Sequence, residues 1–83
     1  MTINSLWIAE EIKILDREEI ALNTITDSLH ATTKEIDALI SQIRDNLAKR
    51  RTAHSMNDWP AYMALRASSA DSFDRLDWLV SNL

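Results

Sequence analysis

Ile8, Leu15, Leu22, Leu29, Ile36 and Ile43 recur at intervals of seven, with polar residues filling most of the positions between them. This spacing predicts a long amphipathic helix. Written as a heptad with those six residues at a, the d positions hold Glu11, Glu18, Ile25, Thr32, Leu39 and Asn46, an imperfect apolar row. Ile12, Ile40 and Leu47 fall at e and widen the stripe to the three-in-seven face of a bundle helix, broader than the seam of a two-stranded coil. Downstream, Tyr62, Leu65, Ser69, Phe73, Leu76, Val80 and Leu83 form a second stripe, with small residues such as Ala64, Ala67 and Ser68 beside it. Trp78 falls about 160 to 200° from Leu76 and Val80 at 100° per residue, which makes it a candidate anchor for a partner's pocket.

Punctuation is sparse, because the chain has no glycine and Pro60 is its one proline. The clearest break is His54-Ser55-Met56-Asn57-Asp58-Trp59-Pro60. Asn57 or Asp58 can cap a helix whose first turn accepts proline, and Lys49-Arg50-Arg51 suits the C-terminus of the helix before it. The expected elements are a helix over about 5–52, a turn over 53–58 and a helix over about 59–82. Two places weaken the first helix: Asp16-Arg17-Glu18-Glu19, which has capping-box spacing, and the weak helix formers of 23–27.

The fold class is all-α, either an antiparallel helical hairpin or a three-helix bundle with a long N-terminal amphipathic helix. An unbroken 5–52 helix would run roughly 70 Å, against about 35 Å for the helix that follows, leaving half of it uncovered. Continuity of the a row across both weak places favours that unbroken helix. An oligomer or partner-bound form is then expected, with a second chain, the same or different, along the uncovered half. Leu6, Trp7, Ile8, Ile12, Ile14, Leu15, Ile20, Ala21 and Leu22 spread over more than one face, which suits the middle of a bundle or an interface.

A chain of 83 residues makes a single helical domain, 1–83, small enough for help from a partner to matter. Its net charge of −4 is unevenly placed: −4 over residues 1–27, +2 over 28–57 and −2 over 58–83. That order suits a chain folded back on itself and lacks the concentrated basic face of a nucleic-acid binder. No apolar run reaches the roughly 18 residues of a membrane span, and Met1 to Asn4 lack the basic region of a signal peptide. With no cysteine, a disulfide framework is excluded, and a cytoplasmic location is expected.

Little in the sequence carries catalysis. His30 and His54 are not at helical ligand spacing, no Glu-x-x-His element is present, and the glycine motifs of phosphate loops and nucleophile elbows are missing. No enzyme activity, metal or cofactor is expected. Asp71, Asp74 and Asp77 recur beside Trp78 and read either as a solvated acidic face or as an acidic rim around an aromatic anchor, matched to a basic partner surface. Trp59 is expected to staple the turn beside Pro60 and Tyr62, whereas Trp7 and Trp78, near the chain ends, are expected to meet something outside the chain.

The segment Asn57-Asp58-Trp59-Pro60-Ala61-Tyr62-Met63-Ala64-Leu65, followed by an alanine-rich helix ending Leu76-Asp77-Trp78-Leu79, resembles the second helix of the small hairpin co-chaperones of type III secretion needle subunits. Its Asp58-Trp59 turn is also similar to helical-hairpin flagellar export chaperones. The resemblance covers about the last third of the chain, and the first 27 residues depart from it. It implies a hairpin that masks the polymerisation surface of an aggregation-prone partner, with Tyr62, Leu65, Phe73 and Leu76 packing the hairpin and Trp7, Ile8, Ile12 and Leu15 touching the partner. The expected function is therefore a non-enzymatic protein-interaction module, with Asp74 and Trp78 completing the contact set. Its rivals are a self-associating bundle and a small acidic phage-type inhibitor of a nucleic-acid-binding enzyme.

Overall fold

A computed structural model describes residues 5–83; Met1 to Asn4, and the signal-peptide reading made of them, lie outside the described residues. Three helices follow one another: α1 (Ser5–Ser28), α2 (Lys34–Ser55) and α3 (Trp59–Ser81). Among the described residues there is no strand, so the chain is all-α and the three-helix alternative holds.

The expected continuous 5–52 helix is interrupted, and not at 16 or 23–27 but at 29–33. The weak formers before the break stay helical because their hydroxyls bond back to the helix: Thr24 Oγ1 to Ile20 O at 2.8 Å, Thr26 Oγ1 to Asn23 O at 2.9 Å and Ser28 Oγ to Ile25 O at 3.0 Å. Beyond them, Thr33 takes extended backbone and its hydroxyl caps α2 by accepting from Ile36 N at 3.2 Å. Glu35 and Asp37 in the first turn complement the dipole there. The a row runs through this break unaltered, since Leu29 and Ile36 both turn toward the core from different elements.

The second turn is a complete Schellman motif: Asp58 N bonds Ala53 O at 2.9 Å and Asn57 N bonds His54 O at 3.2 Å. Asn57 carries the left-handed backbone this requires, with φ 56°. Asp58 then caps α3, its carboxylate accepting from Ala61 N at 3.4 Å, with Pro60 in the first turn.

Helices of 24, 22 and 23 residues match in length, so no half of a long helix lies bare. That removes one premise for a covering partner. The core consists of Leu15, Leu22, Ile36, Ile43, Leu47, Ala53, Tyr62 and Leu76, with Ile12, Ile25, Ile40, Phe73 and Val80 packed around it. Of the predicted C-terminal stripe, Tyr62, Ser69 and Leu76 are buried and Phe73 and Val80 pack against the core, whereas Leu65 is half-buried and Leu83 exposed. The basic middle of the chain meets the acidic start: Arg51 of α2 lies 2.8 Å from Asp16 and 2.9 Å from Glu19 of α1.

Candidate functional site

Three of the d positions that break the apolar row, Glu11, Glu18 and Asn46, belong to the polar seam of the bundle, while Thr32 lies exposed in the connector. Arg50 of α2 is fully buried; its Nη1 donates to Glu18 Oε1 at 2.9 Å and its Nη2 lies 2.8 Å from Glu18 Oε2. Ser69 of α3 donates to the same Glu18 Oε1 at 3.0 Å, so one carboxylate joins all three helices. The remaining face of the guanidinium stacks on the Tyr62 ring, 5.4 Å from its centroid. Burial works against the charge of Arg50, but its contacts to Glu18 and Tyr62 prevail and raise its pKa further. Glu11, only 2% exposed, accepts from Arg66 Nη1 at 2.8 Å, and Asn46 Nδ2 donates to Leu65 O at 2.8 Å.

At one end of the seam the aromatic residues gather. Trp7 meets Trp59 edge-on at 5.3 Å and Tyr62 at 6.1 Å, while His54 meets Trp59 at 5.3 Å and places Nε2 3.0 Å from Ile8 O. Trp59 packs against Tyr62 at 6.0 Å, where the turn staple was expected. Trp7 therefore meets residues of its own chain, contrary to the expectation that it points outward, because the fold returns α3 to the start of α1.

The proposed contact row suffers a similar correction. Leu15 is buried in the chain's own core, and Ile12 packs against that core. Ile8 is half-buried, its carbonyl beside His54. A row that spaces itself toward one face shows only that the face is covered, and here the cover is the core that α1 shares with α2 and α3. Asp74 is exposed, and Trp78 is 56% exposed with Arg75 stacked on it 5.0 Å from the ring centroid. Arg75 is itself held from α2, donating to Glu35 Oε1 at 2.8 Å.

A surface feature that the sequence pattern did not single out lies between α1 and α3. The backbones of these two helices stay more than 8 Å apart (Cα–Cα), whereas α2 lies closer to each. Glu18 of α1 and Phe73 of α3 both line the space between them. The result is an open, largely apolar groove of about 290 Å³ lined by Ile14, Arg17, Glu18 and Ala21 of α1 and Phe73 of α3. Phe73 was expected to pack the hairpin; it packs against the core and also lines the groove. The available signal was Ile14 and Ala21, apolar and seven residues apart, off the a row.

On the other side, Gln42, Asp45, Asn46, Lys49, Leu65, Ser68 and Ser72 line a polar groove between α2 and α3. Among the described residues, no group of three His, Asp or Glu side chains is placed to hold a metal ion, and no helix is long and apolar enough to cross a membrane. No family model, curated protein or solved structure matches the chain.

Proposed function

We propose that this chain is a non-enzymatic helical protein-interaction module, a chaperone, adaptor or inhibitor, that works by covering part of a partner's surface. One observation carries the reading: Trp78, on a regular helix and turned away from the core, remains 56% exposed. A tryptophan fixed on a rigid helix loses little freedom on binding and has a large area to bury, which is the profile of an interface anchor. Leu6 at 70% and Ile20 at 65% exposure add apolar area on α1. Asp71, Asp74 and Asp77 flank the anchor and take part in no ion pair among the described residues. The similarity of the last third to export co-chaperones points the same way, toward masking of a partner's helical face.

The test places a photo-crosslinking benzoylphenylalanine at position 78 of the full chain in its native cells. Irradiation is expected to give a discrete adduct with one other protein, absent when the crosslinker sits at the paired, exposed Glu10. Adducts with copies of the chain itself would favour the self-associating bundle. No adduct would leave Trp78 without the anchoring role.

A further inference from the structure

We infer that the groove between α1 and α3 is the docking site for a basic amphipathic helix of a partner protein. This rests on the module reading and deepens it by naming a site and the chemistry of its occupant. The groove is open and about 290 Å³, just below the roughly 300 to 1,000 Å³ of small-molecule pockets, and its walls are Ile14, Ala21 and Phe73. Such a shape takes apolar side chains from a ridge laid along it, the helix-in-groove mode of recognition. Because α1 and α3 run in the same direction, with Trp7 beside Tyr62, Glu11 beside Arg66 and Glu18 beside Ser69, the groove follows their axes and presents a straight track.

Charge decides what fills it. Asp77 lies one turn beyond Phe73 on the same face of α3, and Asp74 lies between that face and Trp78. Together they give two carboxylates that take part in no ion pair among the described residues, against a single unpaired cation there, Arg17, on the α1 wall. A second copy of this chain seated face to face would gather four such carboxylates against two guanidiniums, two and one from each copy. That arrangement is repulsive, and the net charge of −4 on each chain adds to it. A helix with an apolar ridge flanked by Lys or Arg meets the groove and the carboxylates together.

The test uses fluorescence anisotropy with the full chain and two labelled 18-residue helical peptides. One has a leucine ridge flanked by lysines; its twin has glutamates in place of the lysines. The lysine peptide is expected to bind saturably, at least 10-fold more tightly than the glutamate twin. Ala21→Gln, which fills the groove from an exposed position, and the pair Asp74→Lys with Asp77→Lys should each weaken it at least 10-fold, with helix content by circular dichroism unchanged. Asp27→Lys removes an exposed carboxylate elsewhere, one without an ion pair among the described residues, and should change binding less than two-fold. Equal binding of both peptides, or lysine-peptide binding that Ala21→Gln leaves intact, would overturn the proposal as non-specific attraction. A dimer broken by Ala21→Gln would overturn it in favour of a second copy. If the groove variants fail while the crosslink at position 78 still forms, only the groove is lost; if the peptide binds the groove but position 78 gives no adduct, only the anchor is lost.

Discussion

The guanidinium of Arg50, fully buried in α2, lies 2.8 and 2.9 Å from the two carboxylate oxygens of Glu18 in α1. Two ions drawn into a core lose most of their hydration, and their attraction roughly offsets that loss when the geometry is good. Removing one partner strands the other, so Arg50→Ala should cost about 3–5 kcal/mol. Replacing the whole unit by apolar residues, Arg50→Met with Glu18→Leu and Ser69→Ala, should restore stability to within about 1 kcal/mol of the natural chain or exceed it. Urea unfolding checks both; a triple variant as unstable as Arg50→Ala would show that the seam stabilises the fold outright.

Tyr62 is the only tyrosine, so its ionisation can be read alone by absorbance near the phenolate band. Burial raises its pKa, Glu11 adds to the rise and Arg50 opposes it. The folded chain therefore holds this proton where the unfolded chain, with an ordinary value of about 10, has released it. The contribution to stability is whole below pH 10 and falls away as pH climbs from there toward the folded value. Stability should decline above pH 10 in the natural chain, and Tyr62→Phe should remove the tyrosine's share of that decline. The phenol of the folded chain should titrate above that of the urea-unfolded chain; coincident curves would contradict the burial.

Leu15, Leu22, Ile36 and Ile43 of the a row are all fully or almost fully buried, Leu15 in its own chain's core where a partner contact was expected. What the row could not convey was whether the helix continues, because a heptad phase survives any connector that returns the next helix in register. Thr24, Thr26 and Ser28 looked like a break by propensity, yet their hydroxyls keep the helix satisfied, whereas Thr33 ends the run by capping the next one. Glu11, Glu18 and Asn46 looked like defects at d, and each proved to be a seam residue whose partner, Arg66, Arg50 or Leu65, lies in another helix. Contacts at such sequence separation are set by the return of the chain, which spacing within one helix does not encode. The groove was illegible for the same reason: Phe73 and Ala21 belong to separate stripes.

Asn57 holds φ 56° at the close of α2, in a chain that offers no glycine for the position. Asn tolerates this region better than other residues with a Cβ, while a β-branched residue meets its full steric cost. Asn57→Val should lose about 1–2 kcal/mol. For a domain of this size that corresponds to a melting point lower by roughly 4–8 °C per kcal/mol. Asn57→Gly should match the natural chain or melt slightly higher. Thermal melts by circular dichroism decide it, and an unaffected Asn57→Val would mean the turn finds another conformation.

The connector at 29–33 sets whether α1 folds back on its own chain. Leu29 and Ile36 keep the a phase across it, so a straightened α1–α2 helix would present one continuous apolar stripe, and its natural cover is the same stripe of another copy. Thr33 holds the bend through its cap on Ile36 N, a bond worth about 1 kcal/mol. Replacing His30, Thr32 and Thr33 with alanine removes that cap and adds helix propensity of about 0.5 kcal/mol at each position. The triple variant should populate an exchanged dimer of twice the chain mass at concentrations where the natural chain populates it less. Light scattering over a concentration series measures both. An unchanged mass would show that the connector stays bent without the cap.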